Sequence, residues 1–93
     1  MINTDIEDAF YGLRDLVIET LKNETIKSGG EITLEEVYFP SITMEDDVVI
    51  TTIDSMFVKD DMLFFKYHDC FGEYEDVAGL FTFDWLYDIL EAI

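Results

Sequence analysis

Apolar residues in the first third of the chain recur at intervals of three and four, the period of an α-helix: Ile6, Phe10, Leu13, Val17 and Leu21. Before this stripe, Thr4 and Glu7 match a capping box, in which a hydroxyl and a carboxylate satisfy amide groups of the first helical turn. Gly29 and Gly30 follow, and glycine readily takes the left-handed backbone conformation that ends many helices. These signals predict a helix over about residues 4–28.

Alternating apolar and polar positions replace the helical period after the two glycines. Three segments rich in β-branched and aromatic residues predict strands, over about residues 31–39, 48–58 and 62–70. In the first segment the alternation changes phase across Glu35 and Glu36, which indicates a β-bulge; a short helix capped at Thr33 is the alternative. Pro40 either ends this segment or marks an edge position of the sheet, because proline has no amide hydrogen to donate.

The C-terminal residues return to the helical period and predict a second helix over about residues 83–92, with a stripe of Leu86, Ile89, Leu90 and Ile93. The predicted fold is a single α+β domain over residues 1–93, in the order α-β-β-β-α, with helices packed against an antiparallel sheet. A short fourth strand between Tyr74 and Phe81 is left open. The second and third predicted strands carry apolar side chains at both alternations, so the sheet needs cover on both faces or a partner on one.

Charge narrows the range of partners. The 93 residues include 22 Asp and Glu against five Lys and Arg, a formal net charge of −17. Residues 28–93 carry sixteen acids and two bases, a balance of −14. Such a surface repels nucleic acid and anionic membranes and attracts basic proteins. Apolar residues make up 49% of the chain, which distinguishes it from a disordered acidic tail.

The cysteine count and the hydropathy of the chain predict the cellular compartment of the protein. A single cysteine cannot close an internal disulfide, and the N-terminal residues MINTDIEDAF lack the basic and apolar regions of a signal peptide. No uncharged run approaches the ~20 residues of a membrane span. We therefore expect a soluble cytoplasmic protein.

His68, Asp69 and Cys70 form the grouping that most resembles a nucleophilic site. On a regular strand His68 and Cys70 share a face about 6.5–7 Å apart, while Asp69 points to the other face and cannot orient the imidazole. We expect a partly exposed histidine and a buried or neutral thiol. One histidine and one cysteine do not suffice for zinc, and the acidic runs lack the spacing of a calcium-binding loop. The sequence therefore predicts no enzyme activity, no cofactor and no metal; a metal-dependent enzyme is the remaining alternative.

Acidic residues are expected to gather at one end of the sheet. In a meander, the turn before the second predicted strand and the segment after the third lie at the same end. An aromatic anchor inside an acidic rim suits docking on a basic protein, whereas a solvated loop with one aromatic tucked under it is the alternative. The candidate partner-binding residues in these two segments are Glu45, Asp46, Asp47, Asp69, Phe71, Glu73, Tyr74, Glu75 and Asp76.

Two functions agree with these features. The first is a non-enzymatic acidic protein that binds and inhibits a basic protein, either as a mimic of the nucleic-acid backbone or as an immunity-type inhibitor of a basic toxin. The second is a small self-associating domain, because fourteen aromatic residues among 93 exceed what a small core readily hides. A homodimer contact would then involve the apolar sheet or the region of Trp85.

Overall fold

The computed structural model describes residues 2–93, with side chains described for Ala9 and from Tyr11 onward. The predicted capping box at Thr4 and Glu7 lies outside the described side chains. So do Ile6 and Phe10, the first two residues of the predicted helical stripe.

Five antiparallel strands form one sheet. One helix precedes these strands in the chain and another follows them. The elements are α1 (Ile2–Lys27), β1 (Glu31–Thr33), β2 (Tyr38–Ile42), β3 (Val48–Lys59), β4 (Met62–Asp69), β5 (Gly72–Val77), a 3-10 turn (Ala78–Leu80) and α2 (Phe83–Ala92). β1 and β2 pair with one side of β3, and β4 pairs with its other side. β5 pairs with β4 and forms the edge of the sheet. The predicted α+β class is confirmed, and β5 is the further strand that the sequence left open.

The first predicted strand, residues 31–39, is wrong as a single element, because two short strands joined by a turn replace it. Glu36 in this turn has a positive φ of 58°, which interrupts an extended strand. The alternative of a short helix capped at Thr33 is also wrong, since Thr33 is the last residue of β1. Pro40 lies inside β2, which pairs with β3 alone, so the edge interpretation of this proline is the one that holds.

A β-bulge does occur, but it lies in the central strand. The register between β3 and β4 shifts at Asp54, the extra residue on the β3 side. Because of this extra residue, Ile53 and Met56, three positions apart, both point into the core and are fully buried. The amide of Leu34 donates to the Asp54 carbonyl oxygen, and the amide of Ile53 donates to that of Val37, both at 2.9 Å. These bonds hold the β1–β2 turn against the bulge.

The core lies between one face of the sheet and both helices. Its fully buried members come from β3, β4, α1 and α2, and they include Ile53, Met56, Phe65, Leu21, Leu86 and Ile89. Val17 of the predicted α1 stripe is buried as well, whereas Leu13 is 48% exposed. Leu13 differs because the buried residues of the described part of α1 all lie in its C-terminal half, where the helix packs on the sheet and α2.

The opposite face of the sheet has no helix over it in the part of the chain that the structure describes, and we call it the uncovered face. Its side chains alternate with those in the core, so it carries the second apolar set that the sequence indicated. Phe57 and Phe64 stack there at a centroid distance of 5.4 Å. Its more open apolar residues, each 49–75% exposed, are Tyr38, Ile42, Val48, Ile50 and Met62. The sequence indicated that both faces of the sheet need cover or that one needs a partner, and within the described residues the helices cover one face only.

Contacts at the start of α2 attach it to the sheet and to α1. The Thr82 hydroxyl caps α2 by accepting a hydrogen bond from the Trp85 amide at 3.4 Å. Trp85 stacks on Phe39 of β2, with ring centroids 4.4 Å apart. Arg14 of α1 donates to the carbonyl oxygens of Gly79 and Phe81, which fixes the segment that precedes α2.

Truncation of a buried and of an exposed phenylalanine should change the free energy of unfolding by different amounts. Phe65 is fully buried and packs edge-on against Phe81 at 4.8 Å, so we expect Phe65→Ala to lower the free energy of unfolding by about 3–5 kcal/mol. Phe71 is 76% exposed, and Phe71→Ala should change the same quantity by less than ~0.5 kcal/mol. Urea unfolding followed by circular dichroism measures both. Equal losses in the two variants would contradict this description of the core.

Candidate partner-docking site

The β2–β3 turn holds three of the predicted acids on a backbone that Thr43 fixes. The Thr43 hydroxyl accepts hydrogen bonds from the amides of Glu45 (3.3 Å) and Asp47 (3.2 Å). Its own amide donates to the Asp47 carbonyl oxygen at 2.8 Å. Asp46 takes a positive φ of 61°, which aspartate tolerates better than most residues. The three acidic side chains and Met44 are consequently exposed on a turn with a defined shape.

The β4–β5 turn is fixed by Asp69 in a similar way. One oxygen of its carboxylate, Oδ1, accepts hydrogen bonds from the amides of Phe71 (2.8 Å) and Gly72 (3.2 Å). This Asx-type turn engages Asp69 locally and leaves Phe71 76% exposed. Phe71 is therefore not tucked under the loop.

The two turns face each other across a groove of about 580 Å³. We call it the acidic groove and define it by six of its lining residues: Met44, Glu45, Asp47, Val48, Cys70 and Phe71. Met44 and Phe71 are large apolar side chains that stay in water, and Glu45 and Asp47 line the same groove. Exposed apolar anchors next to uncompensated acids are the composition that a docking surface for a basic protein needs.

Alternation along β5 separates the four candidate residues that follow Phe71. Tyr74 stacks on Tyr67 at 5.4 Å, and Asp76 accepts a hydrogen bond from the Tyr67 hydroxyl, so Tyr74 and Asp76 lie on the helix-covered face. Glu73 and Glu75 alternate with them and lie on the uncovered face. The sequence predicted that these acidic residues gather at one end of the sheet, but this prediction did not assign them to one face or the other.

The structure thus brings part of the predicted set together. Glu45, Asp47 and Phe71 line the acidic groove, and Asp46 and Asp69 belong to the two turns that form it. Glu73, Glu75, Tyr74 and Asp76 extend away from the groove along the edge strand. The two-residue period of a strand is the signal that could have separated the last four residues.

Most basic side chains are engaged away from the acidic groove. The ion pairs with lysine are Lys22–Asp61 (3.0 Å), Lys27–Glu24 (3.5 Å) and Lys66–Glu31 (3.9 Å). Arg14 binds backbone carbonyl oxygens, and Lys59 lies at the far end of β3. Within residues 2–93, no lysine or arginine forms an ion pair with any of the seven candidate carboxylates. The acids of the two turns that form the acidic groove are consequently not paired with any described lysine or arginine, whereas Lys66 lies opposite Glu75 in the β4–β5 pairing.

His68 has an acidic partner, but it is not Asp69. The Nδ1 atom of His68 lies 2.9 Å from both carboxylate oxygens of Asp54, the bulged residue of β3. This hydrogen bond is the main reason that the pKa of His68 is raised; the nearby charges of Glu73 and Asp69 add to it, and partial desolvation acts in the opposite direction. Sequence reasoning missed Asp54, because the pairing of β3 with β4 brings it to His68. Cys70 is exposed, so the expectation of a buried thiol is wrong.

Two further properties concern metal and membrane. Within the described residues, no three His, Cys, Asp or Glu side chains are grouped so that they could hold a metal ion. Over the same part of the chain, neither helix is both long enough and apolar enough to cross a membrane.

Fold and site together define a small acidic α+β domain with one uncovered sheet face and an acidic groove at one end. Comparisons of the chain with protein-family models, with curated proteins and with solved structures find no match. Function is therefore inferred from the geometry and charge of the chain itself.

Removal of the Asp54 charge should lower the pKa of His68. In the wild type the folded pKa lies above the unfolded value of ~6.5, so the pair stabilises the fold fully below ~pH 6.5, and this contribution is lost as the pH rises through the folded pKa. We expect Asp54→Asn to move the folded pKa down toward the unfolded value. The chain has one histidine, so its Cε1 proton gives an unambiguous NMR titration.

Asp60→Asn is the matched control for this titration, because it removes one acidic charge from the β3–β4 turn at the other end of the sheet. It should leave the pKa of His68 nearly unchanged. The same pKa in Asp54→Asn and wild type would show that the Asp54 contact does not control the histidine.

Proposed function

We propose that this protein is a non-enzymatic binding protein that docks on a basic protein partner and inhibits it. The acidic groove is the centre of the docking surface, and Glu73 and Glu75 extend it along the uncovered face. Two forms of this function share one surface: a mimic of the nucleic-acid backbone that occupies a nucleic-acid-binding protein, and an immunity-type inhibitor of a basic toxin. Direct binding of nucleic acid or of an anionic membrane is disfavoured by the net charge of −17.

The observation that carries this proposal is the combination of uncompensated acids and exposed apolar anchors on two fixed turns. Solubility alone would not require Met44 and Phe71 to remain in water at 104% and 76% exposure beside those acids. Carboxylates at the rim raise the rate of encounter with a basic partner, and apolar anchors at the centre supply most of the affinity. The hydrogen bonds that the Thr43 hydroxyl and the Asp69 carboxylate accept from backbone amides fix both turns in advance, which lowers the entropic cost of docking.

The location we propose for this complex is the cytoplasm. Cys70 is the single cysteine of the chain and is exposed as a free thiol, a state that a reducing compartment maintains.

Two triple variants with the same net charge test the position of the docking surface. Glu45→Gln/Asp46→Asn/Asp47→Asn neutralises the β2–β3 turn, and Glu35→Gln/Glu36→Gln/Asp60→Asn neutralises exposed acids in two other turns. Each brings the net charge from −17 to −14. We expect the wild type and the second triple to retain the same basic protein from a native lysate at ~0.15 M salt, and the first triple to lose it. The retained protein, once purified, should bind nucleic acid or act as a toxin, and the wild type should inhibit it.

Phe71→Ala adds a test without any change of charge. Loss of an apolar anchor typically costs ~2 kcal/mol, so the affinity for the purified partner should fall about 30-fold in titration calorimetry. If both triple variants and Phe71→Ala bound the partner as tightly as the wild type does, the acidic groove would be excluded as the docking surface. Failure to retain any basic protein, with no relief of nuclease cleavage, would exclude the function itself.

The uncovered face favours a second function, a self-associating structural domain. Tyr38, Ile42, Val48 and Ile50 are adjacent there through the β2–β3 pairing and remain 49–75% exposed, so a second copy could bury them. Light scattering at ~100 µM separates the two functions. A dimer mass that Ile50→Lys reduces to the monomer would favour self-association, whereas a monomer mass in the wild type favours docking on a different protein.

A further inference from the structure

A second concave site lies on the helix-covered side of the sheet, where β3, β4 and β5 meet the start of α2. It is a cavity of about 310 Å³, and we call it the Trp85 cavity. Leu80 and Thr82, both exposed, lie at its border with solvent. Its volume is at the lower end of the range for small-ligand clefts, ~300–1,000 Å³. Its other lining residues are Thr51, Tyr67, Asp76, Phe81 and Trp85.

The aromatic walls of the Trp85 cavity are held in place before any ligand arrives. Trp85 is stacked on Phe39 at 4.4 Å with an interplanar angle of 8°. Tyr67 meets Phe81 edge-on at 5.5 Å, and Phe81 lies 6.1 Å from Trp85. Rings that are locked by their neighbours lose little conformational freedom on binding.

Asp76 is the single charged residue among those that line the cavity. Its Oδ2 atom accepts a hydrogen bond from the Tyr67 hydroxyl, and this bond is the largest reason that the pKa of Tyr67 is raised to about 12. Tyr67, which like any tyrosine is neutral at neutral pH, is the donor in this bond. Asp76 keeps an oxygen, Oδ1, for which the described residues supply no hydrogen bond. Arg14 binds backbone carbonyl oxygens of this segment and is not among the lining residues.

The chemistry of the lining selects the charge of a ligand. An anion would meet the Asp76 carboxylate without a lining cation to offset it. A neutral ligand would take water away from that carboxylate without supplying a counter-charge, even where it donated a hydrogen bond, and this costs free energy. A cation is attracted both by the carboxylate and by the faces of the aromatic rings.

We infer that the Trp85 cavity binds an arginine side chain of the basic partner, with its guanidinium between the Asp76 carboxylate and the aromatic walls. Arginine fits better than lysine, because a planar guanidinium stacks on rings and donates several hydrogen bonds in one plane. This inference rests on the proposed function for the source of the arginine. Asp76 lies four residues along β5 from Gly72, or about 13–14 Å, so one partner can contact the acidic groove and the cavity together.

A small arginine mimic tests the cavity without the partner. The probe is N-acetyl-arginine amide, and its neutral isostere N-acetyl-citrulline amide is the matched control ligand. Trp85 is the only tryptophan, so its indole N–H gives a single NMR signal at the site. We expect a saturable shift of this signal by the arginine compound, with a dissociation constant of the order of 1 mM, and a much smaller effect of the citrulline compound.

Two single variants complete the test. Asp76→Asn keeps the shape and the acceptor for Tyr67 but removes the charge, so binding of the arginine compound should weaken about five- to tenfold. Glu75→Gln removes the same charge from the neighbouring residue on the uncovered face and should weaken it less than about twofold. The amide spectra of both variants report whether the fold is kept.

The outcomes separate this inference from the proposed function. Equal shifts with the citrulline compound, or equal weakening in the two variants, would overturn an arginine site in the cavity while leaving capture through the acidic groove intact. A larger effect of N-acetyl-lysine amide than of the arginine compound would overturn the choice of arginine. Binding of the mimic without any captured partner would retain the cation site and remove the proposed function.

Discussion

Burial of one face of the β3–β4 pair beneath α1 and α2 is the interaction on which the rest of the structure depends. A chain of 93 residues supplies two helices, and both are used on the same face. The bulge at Asp54 adapts the long central strand to this cover, because it directs both Ile53 and Met56 into the core. The other face keeps its apolar side chains in water, which makes it and the turns at its end available to a partner.

A net charge of −17 opposes compaction, and the fold reduces this repulsion by placing acidic side chains where water surrounds them. From Tyr11 onward, nearly all of the acids lie in turns, on the edge strand or on outer helix faces, where water solvates them. Three lysines form ion pairs with acids outside the β2–β3 and β4–β5 turns. Within the described residues, the acids of these two turns therefore form no ion pair with lysine. Acidic side chains on the edge strand β5 also discourage pairing with the edge of another sheet.

The acidic groove and the Trp85 cavity are connected by β5. Side chains of this strand alternate between the two faces, so Glu73 and Glu75 continue the groove while Tyr74 and Asp76 face the aromatic side. Both sites rely on groups fixed by the fold itself: Thr43 and Asp69 in the turns, and Phe39 and Tyr67 beside the cavity. A basic partner would meet charge and shape that are already in place.

By itself, the sequence determined the α+β class, the two helices, the antiparallel pairing of the two long strands and the concentration of charge after residue 28, since periodicity and composition are local properties. It did not determine the division of residues 31–39, because the turn at Glu36 is held by hydrogen bonds to the distant bulge at Asp54. The tertiary structure also decided which acids meet Phe71, why His68 faces Asp54, and that Asp76 joins Trp85 at a cavity. These contacts join residues far apart in the chain, and strand register and helix placement set them, neither of which a local pattern records.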